Sequence, residues 1–224
     1  MNRYLRIEAL PLLSLMLLLP GCAKLAYQHM NDPSRDAWQK PIEVITKLAI
    51  TPGSRVADLG AGGGYFTWPL TGAVGPQGTV YAVEIDETAL EIIKREMKSR
   101  GITNVVPTRA EPSELTSSRS PERIKTEPSD AKLPEPVDLV FSCDTYHHMN
   151  DRVAYFRSLR RYLKPDGQVA ILDFHPHGFF SGLLGHGTAK EDVRREMEAA
   201  GYRLTADYDV IESQHFQVFS RKDS

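Results

Sequence analysis

From residue 41 onward the apolar positions change their period several times. Short runs rich in apolar and β-branched residues, at 56–59, 79–85, 105–108, 137–143 and 168–174, alternate with stretches where apolar residues return every third or fourth position. The first kind suits strands buried on both faces, and the second suits helices with one buried face. Their alternation predicts βαβ units. The expected fold is an α/β domain over 41–224, a doubly wound, seven-stranded, mostly parallel sheet. Pro41 can open a helix through Leu48, and Gly101 can end the one carrying Leu90, Ile93 and Met97. A helix is predicted at 65–74, with Pro69 near its first turn. Val153, Phe156, Leu159 and Leu163 predict another at 151–163, and Val193 and Met197 one more, ending near Gly201. Lys164-Pro165-Asp166-Gly167 reads as the turn into strand five. The last two strands, Tyr202–Ile211 and 215–220, are joined by Glu212-Ser213-Gln214, a hairpin that makes one closing strand antiparallel.

Two regions break this rhythm. Residues 112–136 are rich in Ser, Pro and Glu without any apolar period, and Glu111-Pro112-Ser113 recurs as Glu127-Pro128-Ser129. They are expected to be a disordered surface insertion. Residues 1–22 have the layout of a leader: Arg3 and Arg6, then an apolar stretch from Leu10 to Leu19 that is too short to span a bilayer. It ends in Leu19-Pro20-Gly21-Cys22, which resembles a bacterial lipobox, although Pro20 stands where a small or aliphatic residue is usual. That resemblance implies a periplasmic lipoprotein whose only membrane attachment is a lipid on Cys22. Translation starting at Met30 would instead give a cytoplasmic protein. Residues 23–40 read as a linker and N-terminal segment.

Composition narrows the function classes. The 224 residues suit one domain, and a net charge of −2 with no block of Lys or Arg gives nucleic acid no electrostatic footprint. Arg157, Arg160, Arg161 and Lys164 form a basic stripe, read as a solvated face, with anionic lipid contact as the lesser alternative. Cys22 and Cys143 lie too far apart for a zinc motif. His175, His177 and His186 lack metal-type spacing, so no metal is expected; their loop is read as a cover over a second substrate.

The chemistry concentrates in Val56-Ala57-Asp58-Leu59-Gly60-Ala61-Gly62-Gly63-Gly64-Tyr65-Phe66. A glycine-rich turn after a strand lets a ligand approach bare backbone. Twenty residues past Gly64 stands Glu84, at the end of the second strand, where a carboxylate can accept from both hydroxyls of a ribose. The spacing Asp58, Gly60, Gly62, Gly64 resembles the motif of class I S-adenosylmethionine-dependent methyltransferases. That resemblance implies a Rossmann-like fold and S-adenosylmethionine as cofactor, bound by Asp58 at its methionine amino end, by Gly60, Gly62 and Gly64, and by Glu84 with Ile85 beside it. Arg109 stands where such enzymes often carry an acid for the adenine amino group, which leaves Glu111 as the substitute. Cys143 would line the methionine pocket with its backbone.

The stretch from Val137 through Asp144-Thr145-Tyr146-His147-His148-Met149, and Tyr162 to Val169, resemble methyltransferases of the ubiquinone/menaquinone-biosynthesis type. The Asp-Thr-Tyr-His-His segment is also similar to a bacterial subgroup of such proteins, many with export leaders. His147 is the candidate general base toward an unidentified, small-molecule acceptor. A nicotinamide-dependent oxidoreductase uses a related loop, but its fingerprint needs Gly or Ala where Tyr65 stands. A non-catalytic, S-adenosylmethionine-binding surface lipoprotein is the other alternative.

Overall fold

The structure is a computed structural model that describes residues 25, 27, 29–111, 130–176 and 187–223. The expected leader at 1–22, with Cys22, lies outside the described residues, as do His177 and His186.

Seven strands form one sheet: β1 (Arg55–Leu59), β2 (Thr79–Glu84), β3 (Val105–Arg109), β4 (Val137–Cys143), β5 (Leu163–Phe174), β6 (Tyr202–Ile211) and β7 (Gln214–Arg221). Their order is β3-β2-β1-β4-β5-β7-β6. Neighbours from β3 through β5 pair in parallel, and β7 alone runs antiparallel, to both β5 and β6. The fold is the doubly wound one the pattern predicts. Its helices are α1 (Asp36–Gln39), α2 (Pro41–Lys47), α3 (Thr67–Val74), α4 (Glu87–Arg100), α5 (Arg152–Leu159) and α6 (Lys190–Ala199).

Period-two alternation divides the core into two layers. Val56, Val80, Ala82, Leu139 and Phe141 pack with Val44 of α2, Leu70 of α3 and Ile93 of α4. Ala57, Leu59, Val83, Val140 and Ile171 pack on the other side with Phe156 of α5 and with Val193 and Met197 of α6. Burying each such large side chain stabilises the fold by about 1.5–3 kcal/mol. The chain winds outward from β1 through β3 and then crosses back to β4. The carboxyl ends of β1 and β4 therefore flank a crevice where no crossover covers the sheet.

Three local readings change. Helix α5 stops at Leu159 and continues as a 3-10 turn over Arg160–Tyr162. The Lys164-Pro165-Asp166-Gly167 turn lies inside β5, because Val137 pairs with Leu163 and the next registered partner of β4, Leu139, pairs with Gln168. The extra residues bulge out of the ladder rather than precede it. At the far end of the expected insertion the domain has already resumed: Ala131 and Leu133 are buried, and Asp130 bridges to Glu111. Residues 112–129 lie outside the described set. The basic stripe keeps Arg157 and Arg161 exposed, as a solvated face would, with surface contacts from Arg157 to the Ala199 carbonyl, Arg160 to Asp223, Arg161 to Asp130 and Lys164 to Asp138.

The described part of 23–40, the linker and N-terminal segment, folds into short helical turns. Asp32 caps a short 3-10 turn over Pro33–Arg35 by accepting from the Ser34 amide at 2.8 Å, and α1 follows directly. This strap lies across the carboxyl ends of β1 and β2. Tyr27 donates to Asp86 at 2.8 Å, and the Asn31 side-chain amide donates to the Gly63 carbonyl at 2.6 Å.

Candidate active site

Beyond β1 the backbone turns at Gly60 and Gly62 with φ of 75° and 52°, a region that L side chains rarely adopt. A side chain at Gly60 would also overlap Thr145 from the loop after β4. The turn brings the Gly62 amide to Glu84 Oε2 at 2.9 Å. Glu84 Oε1 accepts from the Ile85 and Asp86 amides at 2.7 and 3.1 Å. Three backbone donors thus orient one carboxylate at the end of β2. Oε2 keeps room for a further donor, and Oε1 can take another only by sharing with the Ile85 and Asp86 amides.

Asp58 is 2% exposed, and Thr67 donates to it at 2.6 Å. Burial pushes its carboxyl up to about 7, against the opposing Thr67 hydrogen bond and with help from the nearby Glu84 charge. A cavity of about 500 Å³ opens between these groups and the strap, a volume suited to a nucleoside-sized ligand. Asp58, Gly60, Gly62, Glu84, Ile85, Glu111 and Cys143 all line it. Gly64 is not in its wall and lies behind the loop against the Trp68 ring. Glu111 sits exposed at the rim, paired with Lys132, while Arg109 turns away to Glu87 at 3.3 Å.

The far wall gathers residues from across the chain. Asp144 adopts φ of 53° and accepts from Gln39 at 3.0 Å, from Arg35 at 3.4 Å and from Gln214. Burial pushes its carboxyl up to about 6. Gln39 also reaches the Cys143 sulfur at 3.1 Å, and burial raises that thiol. The Arg35 guanidinium lies over the Tyr65 ring, 4.1 Å from its centroid. Tyr155, His148 and Met149 complete this side.

His147, the expected general base, is not brought to the cavity wall. Its side chain is 7% exposed, and its Nδ1 lies 2.6 Å from Oδ1 of the fully buried Asp173. It does not line the cavity; His148 does. The two sit on a 3-10 turn over Tyr146–His148, where successive side chains point about 120° apart. Their rings still lie against each other, with centroids 4.0 Å apart. Pattern reading also missed Tyr27, Asn31 and Arg35. The signal available for them was Asp32 before Pro33, a capping residue ahead of a proline at the first helical position. Among the described residues, no group of three or more His, Cys, Asp or Glu side chains is placed to hold a metal.

A family model described as a methyltransferase domain matches residues 57–169, half of the chain, from β1 into β5. The chain belongs to the methyltransferase-domain family. Within it, the glycine turn and Glu84 place the protein among the class I S-adenosylmethionine-dependent members. It is 26% identical over 155 residues to the ubiquinone/menaquinone biosynthesis C-methyltransferase UbiE of Shewanella frigidimarina, covering 66% of this chain and 54% of that protein. It is 28% identical over 103 residues to the tRNA (adenine(58)-N(1))-methyltransferase catalytic subunit TRM61 of Yarrowia lipolytica, covering 40% of this chain and 26% of that one. The chain thus spans between about a quarter and about half the length of these curated relatives. A solved S-adenosylmethionine-dependent methyltransferase from Aquifex aeolicus superposes with a TM-score of 0.73 at 23% identity, over 88% of this chain and 97% of that one, which bears on the fold alone.

Proposed function

We propose that this protein transfers the methyl group of S-adenosylmethionine to a small-molecule acceptor held between the cofactor and the strap. The observation that carries the reading is the Glu84 carboxylate, aimed by the Gly62, Ile85 and Asp86 amides at the mouth of a cavity that also holds buried Asp58. Glu84 would take the two ribose hydroxyls, and Asp58 the amino end of the methionine part. Ile85 and Glu111 would flank the adenine, and the backbone at Gly60 and Cys143 the methionine chain. When bound, the cofactor supplies a methyl already activated by a cationic sulfur.

What remains for the protein is alignment and exclusion of water. Tyr65, Met149 and Tyr155 offer flat and apolar walls, which suit a planar ring, and the likeness to UbiE points the same way. His148 takes the place first given to His147 as proton acceptor from the reacting acceptor group, since an imidazole suits that role near neutral pH. For location we retain the leader reading, a chain held at a membrane through Cys22; the mass of the mature N-terminus tests it.

Calorimetry with S-adenosylmethionine and with NADH tests the cofactor. Saturable heat with the first and none with the second is expected. Transfer of labelled methyl into the small-molecule fraction of a cell extract tests the reaction. Absence of any saturable heat with S-adenosylmethionine would end this proposal.

A further inference from the structure

The Glu84 carboxylate is oriented by two short stretches of backbone. On one flank the Gly62 amide donates to Oε2 at 2.9 Å, and on the other the Ile85 and Asp86 amides donate to Oε1 at 2.7 and 3.1 Å. Both stretches lie past the ends of β1 and β2, outside the sheet ladder. A carboxylate aimed by loop amides is only as fixed as the loop that carries them. The strap makes one tie to each stretch.

On the first flank, the Asn31 side-chain amide donates to the Gly63 carbonyl at 2.6 Å, one residue beyond the Gly62 amide. Gly63 does not share the positive φ of Gly60, Gly62 and Gly64. Its missing side chain answers to Asn31 instead, because a Cβ at this position would run into the Asn31 amide group. The Tyr27 ring lies against Gly62, 3.8 Å from where a Cβ would stand. On the second flank, the Tyr27 hydroxyl donates to Asp86 Oδ2 at 2.8 Å. The other oxygen of Asp86 accepts from the Thr88 amide at 2.8 Å and caps α4. Asp86 is thus pinned between the helix and the strap. Burial, and then the Asp86 carboxylate, raise the pKa of the Tyr27 hydroxyl, so it stays a donor.

We propose that Tyr27 and Asn31 are positioning residues for the ribose of the cofactor, clamping from the strap the two backbone segments that aim Glu84. The proposal rests on the cofactor reading above, in which Glu84 takes the ribose hydroxyls. The clamp works through Glu84 and needs no contact between the strap and the nucleoside. Both residues also line the cavity, so direct contact with the ligand is the alternative that the experiment separates.

The full chain carrying Tyr27→Phe or Asn31→Ala, each made alone and again with Glu84→Ala, is titrated with S-adenosylmethionine by calorimetry. With Glu84 intact, each substitution should weaken binding about fivefold, for the loss of one hydrogen bond. With Glu84→Ala in place, the same substitutions should weaken it by less than about twofold, because no carboxylate is left to aim. Each flank is judged by its own variant, and thermal unfolding checks that each chain is folded. Equal losses in both backgrounds would mean that the strap meets the ligand itself, and would overturn the clamp. Unchanged affinity with Glu84 intact would overturn it as well. Either result, with saturable heat in the unsubstituted chain, leaves the cofactor reading standing. Absence of saturable heat in the unsubstituted chain overturns that reading and the clamp together.

Discussion

The two halves of the cavity are built in opposite ways. On the cofactor side, the turn after β1 and the carboxylate ending β2 lie 22 residues apart, and backbone amides orient the carboxylate. On the side proposed for the acceptor, Asp144 is held by Arg35, Gln39 and Gln214, which come from distant parts of the chain. A site made of local backbone has few ways to vary without losing the turn itself. A wall made of converging side chains can be rebuilt one residue at a time, so under the proposed function substrate choice belongs there.

Substitutions can break that contrast. Glu84→Ala removes the oriented acceptor of two hydroxyl donors. At about 1.5–3 kcal/mol for each charge-assisted hydrogen bond, S-adenosylmethionine affinity in calorimetry should fall by about a hundredfold or more. His148→Ala should lower kcat by about a hundredfold while leaving cofactor affinity unchanged. His147→Ala should do the reverse of a catalytic loss. It leaves the Asp173 carboxylate buried without this partner, so it should lower the unfolding free energy by about 3 kcal/mol in urea titrations. If His147→Ala instead spared stability and abolished turnover, the facing of the two imidazoles would be wrong.

Asp58→Asn sharpens the comparison through pH. The native carboxyl is raised from 3.8 to about 7, so between about pH 4 and 7 the folded state keeps a proton that the unfolded chain has released. Stability from this group is therefore lost as pH rises across that window. The substitution should flatten the slope and raise stability at neutral pH by about 1–3 kcal/mol, while cofactor affinity falls by about tenfold. Urea titrations at a series of pH values check the first effect, and calorimetry checks the second. Glu111→Ala should matter least, about threefold in affinity, because that carboxylate is exposed and already paired with Lys132.

How much of this could be read ahead depended on how local the cause was. β4 was expected at its observed bounds because its run is buried on both faces, and a hairpin was expected from the short polar gap at Glu212-Ser213-Gln214, although Gln214 itself already belongs to β7. The glycine turn and Glu84 were legible because each sits at the end of an apolar strand. Lys164-Pro165-Asp166-Gly167 misled, since the same residues that make a turn also make a bulge when neighbouring strands carry the ladder past them. His147 and His148 differ by one position, and the choice between them was made by Asp173 on β5, a carboxylate no local pattern ties to that turn. Arg35 and Gln39 were hidden because their partner Asp144 lies 109 and 105 residues downstream of them.

The reversed direction of β7 has a temporal meaning during synthesis. Because β7 begins, rather than ends, at the active edge of the sheet, Gln214 meets Gln39 there at 3.2 Å, and both clasp Asp144. A ribosome that has passed residue 84 has already produced both the glycine turn and the carboxylate it orients. The clasp on Asp144 waits until residue 214 has been made, so a polypeptide that stops short of β7 lacks that contact.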